Sequence, residues 1–491
     1  MRKGWLSSAG WRIFRLSKPA RAGASASKLP GGSPLNEGNL LRLTIELTFF
    51  LGVSSFLAFL VGAIIVYADL RHFRRVDLLN PGLTFLGFYV LYNFLIFLDP
   101  EAATMLGASD YAALGMWGLL GILLGTCVAY SFNRFGRVVS SPIVPPDRLL
   151  FSSLALTLFA GVLIILMYGR NVGLSELLSG DHYARNKAAG GVLSGAFYLL
   201  PLGAGFSIAS LLKSRGLFRF WHLTLIIAGL GSLFYLSSSR GQIFQSFFLA
   251  MYVFHYNVRR ISKKILLGGV SILLVLMAVL GIIRSRIDRS AAEIAEVMTG
   301  ERIGQFFLLQ NLEPYKCGVR AAELVADGPP DGFYLLGGSY LYFIPYLFPQ
   351  KMALLPRPVK LEEWYANTYT PDIAEIGGGW GFYPLVEAYF NFGEIGCFFP
   401  FFLFSFVINR LHLRAMRAPS GSILRMMDCM LAGVLIESMR VSFAGFFKNY
   451  VFVFMLSGYL LLRFCVSRMR KKEIPAWGAE QSIKPEAREC P

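Results

Sequence analysis

The chain has 491 residues, 55% of them apolar and only 16% charged, with a formal net charge of +17. A soluble surface needs roughly a quarter or more of its positions charged, so these numbers exclude an ordinary soluble protein and imply an integral membrane protein. The positive charge reflects membrane topology and not nucleic-acid binding, because its lysines and arginines gather in short loops between apolar segments.

Residues 1–43 carry eight basic residues and one acidic residue, Glu37, with much Gly, Ser, Ala and Pro. They lack the apolar stretch of a signal peptide and read as a disordered basic segment. From residue 44 the chain is dominated by apolar runs that fit a hydrocarbon core about 30 Å thick, which needs roughly 20 helical residues. About eleven spans are predicted, with ten to twelve possible. They run Thr44–Tyr67, Pro81–Leu98, Ala112–Phe132, Leu149–Tyr168, Val192–Leu212, Trp221–Ser237, Gly241–Tyr256, Ile265–Ile283, Pro384–Ile408, Met426–Gly445 and Tyr450–Val466. Lipid offers no partner to free backbone amides, so each span is expected to be helical. The expected fold is an all-α polytopic membrane protein. Spans one to eight fall in residues 44–283, a large external loop in 284–383, spans nine to eleven in 384–466, and a cytoplasmic tail in 467–491.

Arg134, Arg137 and Arg148 follow the third span, Lys213, Arg215 and Arg219 the fifth, Arg259, Arg260, Lys263 and Lys264 the seventh, and Arg410, Arg414, Arg417 and Arg425 the ninth. These loops are expected on the cytoplasmic side. Asp99–Tyr111 has no basic residue, and the interval from Arg284 to Gly381 holds twelve acidic against nine basic residues, so both are expected outside. Arg71, Arg74 and Arg75 in the first loop also read as cytoplasmic. That leaves the basic N-terminal segment out of phase, unless it is external, over-extended, or Thr44–Tyr67 is not a simple span. Within the external interval the aromatic run Phe333–Pro349 is read as a helix or re-entrant piece against the outer leaflet, since a crossing there would turn Arg410–Arg425 outward. Its Tyr340, Tyr342 and Tyr346 suit an interface with one wet edge, as an anchor or as a platform for a sugar or lipid chain.

Ionisable groups at span ends are expensive to keep there and are functional candidates. Arg170 ends the fourth span, Arg240 stands in the short hairpin Ser237–Gly241, and Arg284 and Arg286 leave the eighth span. Glu387, Asn391 and Glu394 open the ninth, at spacings that place them on one helical face. Glu437 and Arg440 are three apart and can pair, and Lys448 precedes the last span. Arginine forks match phosphate oxygens, and a carboxylate beside them can take a proton from a sugar hydroxyl. Simpler roles stand beside these: Arg170 and Arg284 as headgroup anchors, and Glu437 with Arg440 as an internal brace. Gly337-Gly338 and Gly377–Gly379 would let a loop fold closely over a ligand or merely turn. No metal-ligand motif and no nucleotide-binding motif occurs, so neither metal nor cofactor is expected. Asp99-Pro100-Glu101 is the one acidic pair that could hold an ion, and Cys317 is the only external cysteine.

Ser239-Arg240-Gly241 between two spans, the long external interval, and Gly379-Trp380-Gly381-Phe382-Tyr383-Pro384-Leu385-Val386-Glu387-Ala388-Tyr389-Phe390-Asn391-Phe392-Gly393-Glu394 resemble the O-antigen polymerases, the Wzy-type oligosaccharide repeat-unit polymerases. The resemblance implies a bacterial inner-membrane glycosyltransferase of GT-C type, working at the periplasmic face on undecaprenyl-pyrophosphate-linked glycans among membrane lipids. A chain-length regulator and a flippase would be its partners. It gives Arg240 the pyrophosphate and makes Glu387 the candidate base, with Asn391 orienting it or a sugar; Arg284 and Arg286 by topology alone, and Arg170, Glu394, Arg440 and Tyr340 by their place at span ends or in the aromatic run, complete the expected substrate site. The related O-antigen ligases rely on a histidine in the large external loop, and none lies between Arg284 and Gly381. Two other readings remain: another polyprenyl-dependent glycosyltransferase, and a flippase or transporter of lipid-linked glycans without bond chemistry.

Overall fold

The computed structural model describes residues 37–74, 76–99, 105, 107–132, 139–171, 195–211, 240–269, 313–329, 332, 334–347, 357–375 and 382–467. Among them regular structure is helical, apart from one isolated bridge between Ile143 and Ser422. Among the described residues, six helical segments are long and apolar enough to cross a membrane: Thr44–Phe73, Pro81–Leu98, Ala108–Ser131, Pro146–Leu166, Ile395–Arg417 and Phe443–Ser467.

In chain order the first part comprises α1 (Glu37–Phe73), α2 (Pro81–Phe94) with a 3₁₀ turn at Leu95–Leu98, α3 (Ala108–Ser131), α4 (Pro146–Asn171), α5 (Ala196–Leu211) and α6 (Arg240–Asn257). α1 runs as one uninterrupted helix through the first expected span. Asn80 caps α2 by accepting from the Gly82 amide at 2.8 Å, and Pro81 takes the first helical position, where its missing N–H is no loss. The expected spans at Trp221–Ser237 and, for the most part, Ile265–Ile283 lie outside the described residues.

The second part begins with α7 (Glu313–Asp327), the short helices α8 (Gly338–Leu341) and α9 (Phe343–Leu347), α10 (Leu361–Tyr369) and α11 (Pro371–Glu375). There follow α12 (Pro384–Phe392), α13 (Phe398–Arg417), α14 (Ile423–Gly433) and α15 (Phe443–Phe446). α15 continues through a π-wound stretch at Phe447–Leu456 into α16 (Ser457–Ser467). Two expected spans are corrected here. Pro384–Ile408 is not one helix: it breaks at Gly393, whose φ of 75° is a conformation that suits glycine, and the membrane segment starts at Ile395. Met426–Gly445 is likewise interrupted, with α14 ending at Gly433 and the last span starting at Phe443 instead of Tyr450. The described part of the aromatic run contains the short helices α8 and α9.

The bundle is built on close contact between α3 and α13. Gly121 and Gly125, four apart on α3, meet the α13 backbone so tightly that a Cβ on either would lie 2.3 Å from the Phe398 or Phe402 carbonyl oxygen. Small residues at this spacing let membrane helices approach where apolar burial alone supplies little drive. Thr126 and Ser405 hydroxyls bond across the same seam at 2.8 Å, and Ser405 also donates to the Ile122 carbonyl.

The two ends of this bundle differ. One collects Arg259, Arg260, Arg410, Arg414, Arg417 and Arg425 over a buried polar network. Asp69 accepts from Asn80 at 2.9 Å, His255 Nε2 lies 3.0 Å from Asp77, and His412 Nδ1 lies 2.8 Å from Asp428. The Arg425 guanidinium donates to the carbonyls of Ala415, Met416 and Tyr256. The other end is capped by α7. That helix buries Ala321, Ala322, Leu324 and Val325 against the ends of α2 and α3, while Tyr315 donates to Asp99. The loop segment following the eighth expected span therefore sits on the end away from the arginines.

Candidate functional site

At the capped end, α12 presents Glu387 and Asn391 one turn apart on its buried face, both with no exposure. Pro384 starts this helix, and the apolar residues around Glu387 pull the face inward. Glu387 Oε1 accepts from the Ser339 hydroxyl at 2.6 Å and Oε2 from the Phe443 amide at 2.6 Å. Asn391 Nδ2 donates to Ser339 Oγ and to the Glu387 carbonyl, each at 2.7 Å. Three distant segments, α8, α12 and the head of the last span, are thereby joined through one carboxyl.

Among the described residues, no cation is a partner of Glu387. Burial pushes its carboxyl up to about 8, against the opposing pull of the Ser339 and Phe443 hydrogen bonds and with a further push from Glu362. α12 precedes the membrane segment that begins at Ile395, so this is a property of the cap. The end of α12 is closed by the loop itself: the Leu335 and Leu336 amides donate to the Phe390 and Asn391 carbonyls, which a helix end otherwise leaves unbonded. Gly337 then turns with a φ of 82° beneath the Phe392 ring, where a Cβ would come within 3.0 Å.

Beside this carboxyl wall lies a concentration of positive charge. Arg357, Lys360 and Lys448 approach the ring of Tyr346 to 5.3, 4.8 and 5.9 Å from its centroid. Tyr346 is held by donating to the Pro358 carbonyl. Among the described residues neither lysine has a carboxylate within ion-pair distance. Each cation gains about 0.5–2 kcal/mol from the ring face, yet three like charges at one ring repel, and an anion with several oxygens would relieve that repulsion. The wall and the cations share α9 and the last span: Phe343 packs on Phe443 and Phe447, and Lys448 follows one residue later. Glu362, in the first turn of α10 and two residues after Lys360, accepts from the Ser442 amide at 3.2 Å and from the Ser442 hydroxyl.

The predicted site residues distribute as follows. Glu387, Asn391 and Tyr340 meet in this wall, with the Tyr340 ring 4.9 Å from that of Phe443. Glu394 does not join them, because the break at Gly393 ends the shared helical face and leaves it exposed. Arg440 Nε pairs with Glu437 at 3.3 Å, as their spacing predicts. Arg240 opens α6 and Arg170 stands near the end of α4, both described by backbone alone. Each helix has its other end at the arginine-rich face, through Asn257 and through the 144–149 segment respectively, so both positions fall toward the capped end. Arg284 and Arg286 lie outside the described residues, as do Glu101 and Gly377–Gly379. Arg357, Lys360, Glu362 and Ser339 were not singled out from the sequence. The available signal was Arg357-Pro358-Val359-Lys360, a basic pair just after the aromatic run.

Comparison with known proteins gives one finding. The family described as "O-antigen polysaccharide polymerase Wzy" matches residues 204–473, a stretch that contains the whole carboxyl wall and all three cations. No curated protein and no solved structure matches the chain.

Proposed function

Because the chain belongs to the O-antigen polysaccharide polymerase Wzy family, we propose that it joins undecaprenyl-pyrophosphate-linked oligosaccharide repeat units at the periplasmic face of a bacterial inner membrane. The arginine-rich end then faces the cytoplasm, as the positive-inside rule requires, and the capped end faces the periplasm. The architecture is read as GT-C-like, and the chain would work with a flippase that delivers repeat units and a regulator of chain length.

The observation that carries this reading is the juxtaposition, inside the family-matched stretch, of the three cations at Tyr346 and the carboxyl wall of Glu362 and Glu387. Arg357, Lys360 and Lys448 hold the diphosphate of the donor, with Arg240 reaching it from the head of α6. Their charge, little screened where water is scarce, stabilises the negative charge that grows on the diphosphate as the glycan leaves. Arg170, Arg284 and Arg286 extend this positive surface toward the lipid headgroups, and Arg440, braced by Glu437, faces the same layer. Asn391 and Tyr340 contribute polar atoms to the acceptor side, and Glu394, on the exposed rim, meets outlying sugar. Glu387 fixes the wall, and the proton of the attacking hydroxyl passes to a carboxylate within it.

The test is to incubate the purified protein with lipid-linked repeat units and no nucleotide sugar. A ladder of longer lipid-linked products is expected, and an Arg240→Ala variant of normal thermal stability is expected to lose it. Transbilayer movement of labelled substrate without a ladder would replace polymerisation by transport.

A further inference from the structure

Buried polar atoms in folded proteins almost always have partners, and one without a partner marks a place where a further group can bond. Three such atoms belong to the wall: Tyr340 Oη, Glu362 Oε2 and Asn391 Oδ1. Others occur in the bundle, Asn409 Oδ1 and Asp428 Oδ1 among them, but these sit in networks of the opposite end. Of the three in the wall only Glu362 Oε2 is a carboxylate oxygen. Its companion Oε1 is fixed by the Ser442 amide and hydroxyl, which sets the plane of the carboxylate and leaves Oε2 with open lone pairs. Gly445 makes room for it, since a Cβ there would lie 2.9 Å from Glu362 Oε1. Glu387 differs, because Ser339 occupies one of its oxygens and the Phe443 amide the other.

We propose that Glu362 is the catalytic base and accepts on Oε2 the proton of the acceptor sugar's attacking hydroxyl, while Glu387 is a positioning residue that holds the wall around it. The inference rests on the polymerase reading above and names the proton acceptor that it needs. The acceptor oxygen forms the new bond to the anomeric carbon of the donor glycan, and the bond from that carbon to the diphosphate oxygen breaks. The electron pair goes to the diphosphate, held by Arg357, Lys360 and Lys448, and the hydroxyl proton goes to Glu362. Tyr340 Oη and Asn391 Oδ1 bond neighbouring sugar hydroxyls and complete their own requirements in doing so.

The experiment measures single-turnover transfer by the full-length protein in nanodiscs, from a lipid-diphosphate-linked repeat unit to a second unit or to azide. Azide is an anionic nucleophile with no proton to remove. Glu362→Gln keeps an oxygen for Ser442 and places an amide at Oε2. It is expected to slow sugar transfer by roughly 100-fold or more, with donor binding unchanged and azide transfer at the wild-type rate. A purely structural loss would slow both. Should the Gln variant not assemble, Glu362→Asp is compared in the same way, with sugar transfer slowed and azide transfer not. The proposal is overturned by sugar transfer within about threefold of wild type in the Gln variant, or by a loss that azide shares. A wild-type protein that forms no ladder at all would instead remove the polymerase reading on which the proposal stands.

Discussion

At the arginine-rich end Asp77 lies beside His255 and Asp428 beside His412, whereas at the capped end Arg357, Lys360 and Lys448 gather around one tyrosine. There the carboxyls of Glu362 and Glu387 take hydrogen bonds from serines and backbone amides. In the first arrangement carboxyl and imidazole groups are hydrogen-bonded to each other inside the protein, and the network joins α1, α2, α6, α13 and α14. In the second, three cations share one tyrosine ring, and the neighbouring carboxyls take their hydrogen bonds from serines and backbone amides. The repulsion among those cations is relieved when negative charge binds beside them. On the proposed function, the arginine-rich end is scaffold and the capped end does the chemistry.

Three perturbations bear on that comparison. The largest effect is expected from Asp428→Ala, which leaves His412 without its buried partner; both side chains are almost fully enclosed. Breaking such a pair costs about 3–5 kcal/mol, read as a lower unfolding temperature in detergent, while the folded fraction keeps its specific activity. A loss of specific activity there would blur the division between the ends. Next comes Lys360→Ala combined with Lys448→Ala, expected to lower polymerisation by roughly 100-fold with little change in thermal stability, because the charges they remove repel one another. The smallest effect belongs to Glu387→Gln. A carboxyl whose folded pKa is raised to about 8 keeps its proton when the unfolded chain has already lost it near 4.5. Wild-type stability therefore falls as pH rises through that window and levels off above it. Between pH 7 and 8.5 the loss is about 1 kcal/mol, and in the Gln variant, which can still accept from Phe443 and donate to Ser339, this part of the slope should vanish. An unchanged slope would place the titration elsewhere.

The helical, membrane-spanning character of the scaffold is legible in the sequence, because apolar length reports directly on lipid. Glu437 with Arg440, and Glu387 with Asn391, are legible because helical spacing alone brings them together. The break at Gly393 is hidden, since apolar residues continue on both sides and only the backbone angle reveals it. Glu394 was misplaced for that reason. The cation group was missed for another: Lys448 meets Arg357 and Lys360 across nearly ninety residues of chain, a contact made by tertiary packing that no local period encodes. The buried acids Asp69, Asp77 and Asp428 carry no local sequence signal either. Their significance comes from His255 and His412, which arrive from other helices.

The stitching of Glu387 to the Phe443 amide has a bearing on the order of biosynthesis. A nascent chain emerging from the ribosome can insert its early helices and form the seam at Gly121 and Gly125 only after α13 is made, and the head of the last span comes later still. Until then Ser339 and Glu387 have each other, but Glu362 lacks Ser442 and the cations lack Lys448. On the proposed function, catalytic competence therefore arrives only with the C-terminal helix.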